Sequence, residues 1–214
     1  MSINTVIFDL DGTLLYTLED LTDSVNYALS ELNAPQRSVS EIKSFLGNGV
    51  HILIKNALPN NAECLRLNKC ITIFKEHYSQ NMFNKTKPYD GIIDLLKQLK
   101  ISGYKTAVVS NKFDSAVKIL VKHYFDGLID IAIGQNDDRE KKPSPDGVNE
   151  IISGLDAQKH ECIMVGDSEV DIQTANNSGI PCISVTWGYK DIDFLYDNGA
   201  ETLIYSPEEL LELI

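Results

Sequence analysis

Two aspartates spaced by one residue, Asp9 and Asp11, stand directly after a short apolar run at residues 6–8. β-Branched and aromatic residues in such a run predict a buried strand of a parallel sheet. Carboxylates at the C-terminal end of such a strand lie where open α/β sheets bind ligands. Gly12 lets the backbone turn sharply beside a ligand. Asp-Gly alone is a common turn signal, but a turn does not account for Asp9 at the end of an apolar strand. We therefore interpret this segment as part of a functional site.

Polar residues also follow three other predicted strands, at residues 105–109, 128–133 and 162–165. They are Ser110 and Asn111 after the first of these, Lys142 after the second and an intervening loop, and Asp167 with Asp171 after the third. Taken singly, each has a structural explanation: a helix N-cap, a solvated charge, or a turn with a cap. The carboxyl ends of parallel strands meet at one edge of a sheet, so we expect all these side chains to converge on the first two aspartates.

The chemistry that such a set predicts is phosphoryl transfer with a hard divalent metal. Asp9, Asp11 and Asp167 offer oxygen ligands of the kind that Mg²⁺ prefers. Asp9 could attack phosphorus and form an aspartyl-phosphate, while Ser110 and Lys142 bind the phosphoryl oxygens. Asp11 would act as general acid for the leaving oxygen and then as base for water.

This pattern resembles the haloacid dehalogenase superfamily over residues 3 to about 185. The family's four motifs stand in order: Asp9, Leu10, Asp11, Gly12 and Thr13; Ser110 and Asn111; Lys142 and Pro143; and Gly166, Asp167 and Ser168 with Asp171. The resemblance implies that Asp9 is nucleophile and metal ligand, that Asp11 gives its backbone carbonyl to the metal and its side chain to acid–base chemistry, and that Asp167 is the third ligand. Asp171 would support the waters of the metal, and Ser168 would lie beside the metal ligands without binding the metal itself. Thr13 and Asn111 would join Ser110 and Lys142 in binding phosphate.

Within the superfamily, the chain is similar to phosphoglycolate phosphatases. The similarity extends to residues 45–50 and 141–147, and it implies that Tyr16, Gly47 and Asn48 of a cap contact substrate. Tyr16 and Thr17 depart from the Asp-Ser or Asn-Thr more usual in that group, which puts the substrate in question. Two alternatives stay open: a phosphomutase of the β-phosphoglucomutase type, and a binding protein on a catalytically inactive core.

The elements that must position these residues fall into two blocks. Residues 16–85 contain helical patterns at 18–32, 39–45, 50–58 and 62–80, and no convincing strand. From residue 86 onward helices and strands alternate, which predicts right-handed crossovers and a parallel sheet. The predicted fold class is therefore α/β, a doubly wound parallel sheet with a Rossmann-like core (1–15 and 86–214) and an inserted all-helical cap domain (16–85).

Composition limits the partners. The chain has 214 residues, 43% hydrophobic, and a formal net charge of −12, which argues against a nucleic-acid partner because such binding depends on Lys and Arg. The four cysteines show no zinc or CxxC spacing, and no apolar run predicts a signal peptide or membrane span. We expect a cytoplasmic enzyme for a small phosphorylated metabolite, a monomer or weak homodimer.

Overall fold

The computed structural model describes residues 3–59 and 63–214. The described chain forms two compact units, one of the residues up to Leu15 together with Pro88–Ile214 and the other of Tyr16–Lys87. The boundary expected between residues 85 and 86 lies two residues before this division. We call the first unit the core and the second the helical unit.

The strands are short, apart from one. They are β1 (Thr5–Phe8), β2 (Leu15–Tyr16), β3 (Lys87–Pro88), β4 (Lys105–Phe113), β5 (Ile131–Gln135), β6 (Cys162–Gly166), β7 (Cys182–Val185) and β8 (Leu203–Ile204). The helices are α1 (Leu18–Glu31), α2 (Val39–Phe45), α3 (Val50–Ala57), α4 (Cys64–Asn81), α5 (Ile92–Ile101), α6 (Asp114–Phe125), α7 (Asp146–Gly154), α8 (Glu169–Ser178), α9 (Ile192–Asp197) and α10 (Leu210–Leu213), with 3-10 turns at Lys159–Glu161 and Pro207–Glu209.

Six strands build the sheet of the core in the order β5-β4-β1-β6-β7-β8, and all pair in parallel. The predicted α/β fold with a parallel sheet is therefore confirmed. β1 lies in the middle, and its last residue, Phe8, is level with Val108 of β4 and Val165 of β6. The residue after β1 therefore emerges between the ends of its two neighbours, which is where the sequence places Asp9.

Burial explains why the first strand is so apolar. All four residues of β1 are buried, so both faces of the sheet are covered, as parallel sheets require. On one face a core cluster is formed by strand and helix residues, among them Ile7, Val109, Met164, Val148 and Ile151. This packing fixes the strand ends from which the polar side chains project.

β4 differs most from its prediction. It continues through Ser110 and Asn111 to Phe113, four residues past the predicted end at 109. Its register against β5 shifts between Val109 and Phe113, so the polar segment is an irregular continuation of the strand rather than a helix N-cap. β5 in turn begins at Ile131 instead of 128, because Leu128 lies in the preceding turn, where its carbonyl accepts a hydrogen bond from Thr106.

The helical unit contains α1 to α4, close to the predicted helices. The predicted start of the fourth helix, residue 62, lies outside the described residues, and the described helix begins at Cys64. α1 packs against α4, with Val25, Leu29, Phe74 and Tyr78 buried. The Asp20 carboxylate accepts hydrogen bonds from the backbone N–H groups of Lys85 and Thr86 and from the Thr86 hydroxyl at 2.8 Å. This buried carboxylate ties the start of the unit to its end.

A search of the described residues for helices long and apolar enough to cross a bilayer found none.

Candidate active site

Lys142 links two aspartates at the carboxyl edge of the core sheet. Its Nζ lies 2.7 Å from Oδ1 of Asp9 and 2.6 Å from Oδ1 of Asp171. All three residues are buried. Lys142 comes from the long loop after β5, Asp9 from the end of β1 and Asp171 from the first turn of α8. The expected convergence of Asp9, Lys142 and Asp171 from three separate segments is thus observed.

Asp171 is held from both sides. Its Oδ2 accepts hydrogen bonds from the backbone N–H of Ser168 at 3.1 Å and from the Ser168 hydroxyl at 2.6 Å, which completes a capping box at the start of α8. Gly166 makes room for this carboxyl group, because a Cβ at that position would lie 2.3 Å from its Cγ. The Gly-Asp-Ser sequence therefore orients Asp171 toward Lys142.

Asp167 is held by the backbone of a loop that follows β7. Its Oδ2 accepts a 2.7 Å hydrogen bond from the N–H of Tyr189, and its Oδ1 accepts one from the Thr13 hydroxyl at 3.3 Å. A Cβ at Gly12 or at Gly188 would lie 2.4 or 2.2 Å from atoms of Asp167. Only glycine at these two positions lets the backbone approach the carboxylate this closely.

Asp11 has a different partner from Asp9. Nζ of Lys112 lies 2.9 Å from each of its carboxylate oxygens. Lys112 is part of the irregular end of β4, directly after Ser110 and Asn111. The two aspartates at the end of β1 are therefore each paired with a lysine of their own.

The other predicted site residues lie partly in the core and partly in the helical unit. Ser110 is buried and its hydroxyl accepts the N–H of Lys112 at 3.3 Å. The Asn111 amide donates to the Lys142 carbonyl at 3.0 Å, so its observed contact steadies the lysine backbone. Tyr16, Gly47 and Asn48 belong to the helical unit, with Gly47 and Asn48 in the turn between α2 and α3 and a positive φ of 108° at Gly47.

Sequence reasoning missed two parts of this site. The predicted motif ends at Asn111, and Lys112 is the next residue. That position directly after the motif is the signal that could have indicated Lys112. The loop of Trp187, Gly188 and Tyr189 was also missed. The indole N–H of Trp187, the single tryptophan of the chain, donates to the Thr13 carbonyl at 3.0 Å. The available signal was its position two residues past the end of β7.

Negative charge exceeds positive charge in the cluster formed by Lys142 and the three carboxylates of Asp9, Asp167 and Asp171. Burial raises the pKa of Asp9 from its ordinary 3.8 to about 7; Lys142 opposes that rise, whereas Asp171 and Asp11 add to it. Burial, with repulsion from Asp171 and Asp9, also raises the pKa of Asp167 well above its ordinary value. Burial acts to lower the pKa of Lys142, but its two carboxylate neighbours outweigh this and raise it. One ammonium thus faces three carboxylates, which favours a further cation.

The donor set fits a hard cation. Asp9, Asp167 and Asp171 each offer a carboxylate oxygen, and these oxygens lie within 4.8 Å of one another. Oxygen donors of this kind suit Mg²⁺, which binds through a few carboxylates, waters and a substrate phosphate. The grouping of carboxylate oxygens contains Asp171 in place of Asp11, whose predicted contact with the metal is its backbone carbonyl. Asp171 also contacts Nζ of Lys142 and the Ser168 hydroxyl, which agrees with its predicted supporting role.

The sequence profile of the haloacid dehalogenase-like hydrolases matches residues 6–185. The chain therefore belongs to the haloacid dehalogenase-like hydrolase family, and the predicted family membership is confirmed.

Similar proteins within the family indicate which kind of hydrolase this chain is. A phosphoglycolate phosphatase of Mesorhizobium japonicum is 31% identical over 89% of this chain and 86% of its own. A solved structure from Lactobacillus delbrueckii subsp. bulgaricus, provisionally assigned as a phosphoglycolate phosphatase, is 36% identical with a TM-score of 0.93, covering 100% of this chain and 99% of the other. The pyrophosphatase PpaX of Bacillus mycoides is 26% identical over 100% of this chain and 98% of its own. The chain is a phosphatase of this family, as predicted.

Proposed function

We propose that this phosphatase hydrolyses a small phosphomonoester through an aspartyl-phosphate on Asp9, with Mg²⁺ as its cofactor. The observation that carries the proposal is the buried Asp9 carboxylate, held by Lys142 at 2.7 Å within a cluster of three carboxylates. Asp9 and Asp167 would hold the metal with their side chains and Asp11 with its backbone carbonyl. Mg²⁺, when bound, supplies the positive charge that lets a phosphate dianion approach these carboxylates.

In the first step a carboxylate oxygen of Asp9 attacks phosphorus. The bond from phosphorus to the leaving oxygen breaks, and that oxygen takes a proton from Asp11 to leave as an alcohol. Lys142 and the Ser110 hydroxyl would bind the phosphoryl oxygens during the transfer. Lys142 already neutralises part of the charge on Asp9, so it orients the nucleophile while its ammonium stays beside the reacting group.

In the second step water attacks phosphorus and gives a proton to Asp11. The bond between phosphorus and the Asp9 oxygen breaks, and inorganic phosphate is released with both carboxyl groups restored. The same residue thus acts as acid and then as base. Asp167 stays fixed throughout by the Tyr189 N–H and the Thr13 hydroxyl.

Phosphoglycolate is the leading substrate of the proposal. It is supported by the names of the relatives, and the name of the PpaX relative adds pyrophosphate to the compounds worth testing. We further propose that the helical unit selects the substrate through Tyr16, Gly47 and Asn48, as the family resemblance implies.

The decisive experiment measures phosphate release from a panel of small compounds, including phosphoglycolate, pyrophosphate and hexose phosphates, with Mg²⁺ present. We expect turnover of at least one small acid phosphate and its abolition in Asp9→Asn, because an amide is a poor nucleophile. Isomerisation of a sugar phosphate without phosphate release would instead identify a mutase. Absence of phosphate release from every compound of the panel would refute the proposal.

A further inference from the structure

Lys112 contacts both carboxylate oxygens of Asp11 from a buried position. Both distances are 2.9 Å, and the side chain of Lys112 is only 4% exposed against 20% for Asp11. An isolated buried charge is costly, so the ammonium group of a lysine this deeply buried needs a charged or polar partner. The pair is therefore a fixed part of the site and differs from a surface ion pair.

The backbone of β4 is shaped to deliver this lysine. The strand runs through Ser110 and Asn111, its register shifts before Phe113, and the Lys112 N–H turns back onto the Ser110 hydroxyl at 3.3 Å. Consecutive residues of a regular strand point to opposite faces. The irregularity allows the same short segment to present Ser110, to hold the Lys142 carbonyl through Asn111 and to direct Lys112 at Asp11.

Asp9 and Asp11, the two aspartates that follow β1, are bound by different lysines. Lys142 bonds to Asp9 and Asp171, whereas Lys112 bonds to Asp11. A carboxylate with a single contact can rotate about its terminal torsion, which is broad, but contact with both oxygens limits that rotation. A proton-transfer group must lie within hydrogen-bond reach of the atom it serves, so this restraint bears directly on the chemistry assigned to Asp11.

We propose that Lys112 is a positioning residue that holds the Asp11 carboxylate in the orientation from which it transfers protons. This inference rests on the proposed function, because it acts through the acid–base role of Asp11. Lys112 itself touches no reacting atom in this account. Its removal should therefore reproduce the Asp11→Asn defect in weaker form and add nothing once Asp11 has been replaced.

The test compares Lys112→Met, Asp11→Asn and the double variant on an alkyl phosphate and on nitrophenyl phosphate. Asp11→Asn should lose about 10²–10⁴-fold on the alkyl phosphate, the usual contribution of proton transfer. Lys112→Met should lose about 10- to 100-fold there, as expected for a misplaced but intact group. On nitrophenyl phosphate, whose leaving group needs little protonation, both single variants should show a burst of nitrophenol followed by slow turnover.

The double variant separates positioning from direct substrate contact. If Lys112 acts through Asp11, the double variant should be no slower than Asp11→Asn alone, within about threefold. Multiplied losses would mean that Lys112 binds the substrate itself and would overturn the inference. Wild-type kinetics in Lys112→Met, or an equal loss in the nitrophenol burst and on the alkyl phosphate, would overturn it as well.

Controls keep these outcomes distinct from misfolding and from failure of the proposed function. Lys118→Met removes an exposed lysine that pairs with Asp114 at 2.6 Å and should leave all rates unchanged. The burst rate constant reports only folded molecules, and Lys112→Gln provides a second, polar replacement. If Asp9→Asn keeps full activity, the proposed function fails. If Asp9→Asn and Asp11→Asn are impaired but Lys112→Met is not, only the inference about Lys112 fails.

Discussion

The stability of the metal-free protein should fall as the pH rises from 5.5 to 8, because of Asp9. Its pKa is about 7 in the folded chain against an ordinary value of 3.8. A carboxyl group whose pKa is raised by folding stabilises the folded state fully below its unfolded pKa, and this stabilisation is lost as the pH rises through the folded pKa. Asp167 is shifted in the same direction. Lys142 contributes equally at both pH values, because its raised pKa matters only above 10.5.

The size of the effect follows from the two pKa values of Asp9. Between pH 5.5 and 8 the unfolded chain is almost fully ionised at this residue while the folded chain loses its proton, which costs about 2 kcal/mol of stability. For a chain of this length, that is a decrease in melting temperature of about 4–8 °C. The proposed Mg²⁺ would bind the ionised carboxylates, so the stabilisation that it gives should be larger at pH 8 than at pH 5.5.

Thermal unfolding in excess chelator, followed by circular dichroism across this pH range, measures the effect. Asp9→Asn is the matched control, because it removes the titrating group and keeps the size and shape of the side chain. Its melting temperature should depend less on pH than that of the wild type. If the two proteins show the same pH dependence, then burial of Asp9 does not govern stability in this range, and the charge imbalance described for the cluster is wrong.

Three further predictions concern the metal and the substrate. Activity should disappear in excess chelator and return with Mg²⁺ but poorly with Ca²⁺, which takes more ligands at longer distances; full activity in chelator would refute a metal-dependent reaction. Gly188→Ala, whose Cβ would lie 2.2 Å from Asp167, should lower stability by about 1–3 kcal/mol and raise the Mg²⁺ concentration needed for half activity. Gly103→Ala is the control: the positive φ of 82° at Gly103 makes this substitution lower stability too, but nothing lies within 4 Å of its Cβ, so that concentration should stay unchanged. Substitution of Tyr16 should alter the ranking of natural substrates more than the hydrolysis of nitrophenyl phosphate, and an unchanged ranking would count against the helical unit as selector.

The sequence predicted those features of the core that depend on local pattern and on chain order. The apolar run before Asp9 indicated a buried strand, and the alternation of strands and helices indicated a parallel sheet. Once the sheet is parallel, Asp9 and Asp167 must lie at the same edge, because each directly follows its strand, and Lys142 follows a third strand after a loop. Nothing beyond residue type and order was needed, because the geometry of a parallel sheet is repetitive.

Contacts that depend on irregular backbone could not be predicted in this way. The register of β4 shifts near Lys112, whose ammonium group contacts Asp11. No periodic pattern in the sequence predicts such a shift. The N–H of Tyr189 reaches Asp167 from a loop 22 residues further along the chain. A backbone donor carries no side-chain signature, so only the close approach at Gly188 could have indicated it.

The bonds of Asp20 have a consequence for how this protein could be rebuilt. Since Asp20 holds the backbone at Lys85 and Thr86, the helical unit brings its own two chain ends together, and Leu15–Tyr16 and Lys87–Pro88 pair as neighbouring strands. Adjacent strands are separated by only about 4.8 Å, so the two connections of the helical unit run side by side. Because these ends lie together, we expect the unit to tolerate exchange between related cores, since a host needs to supply only a single short break in its chain.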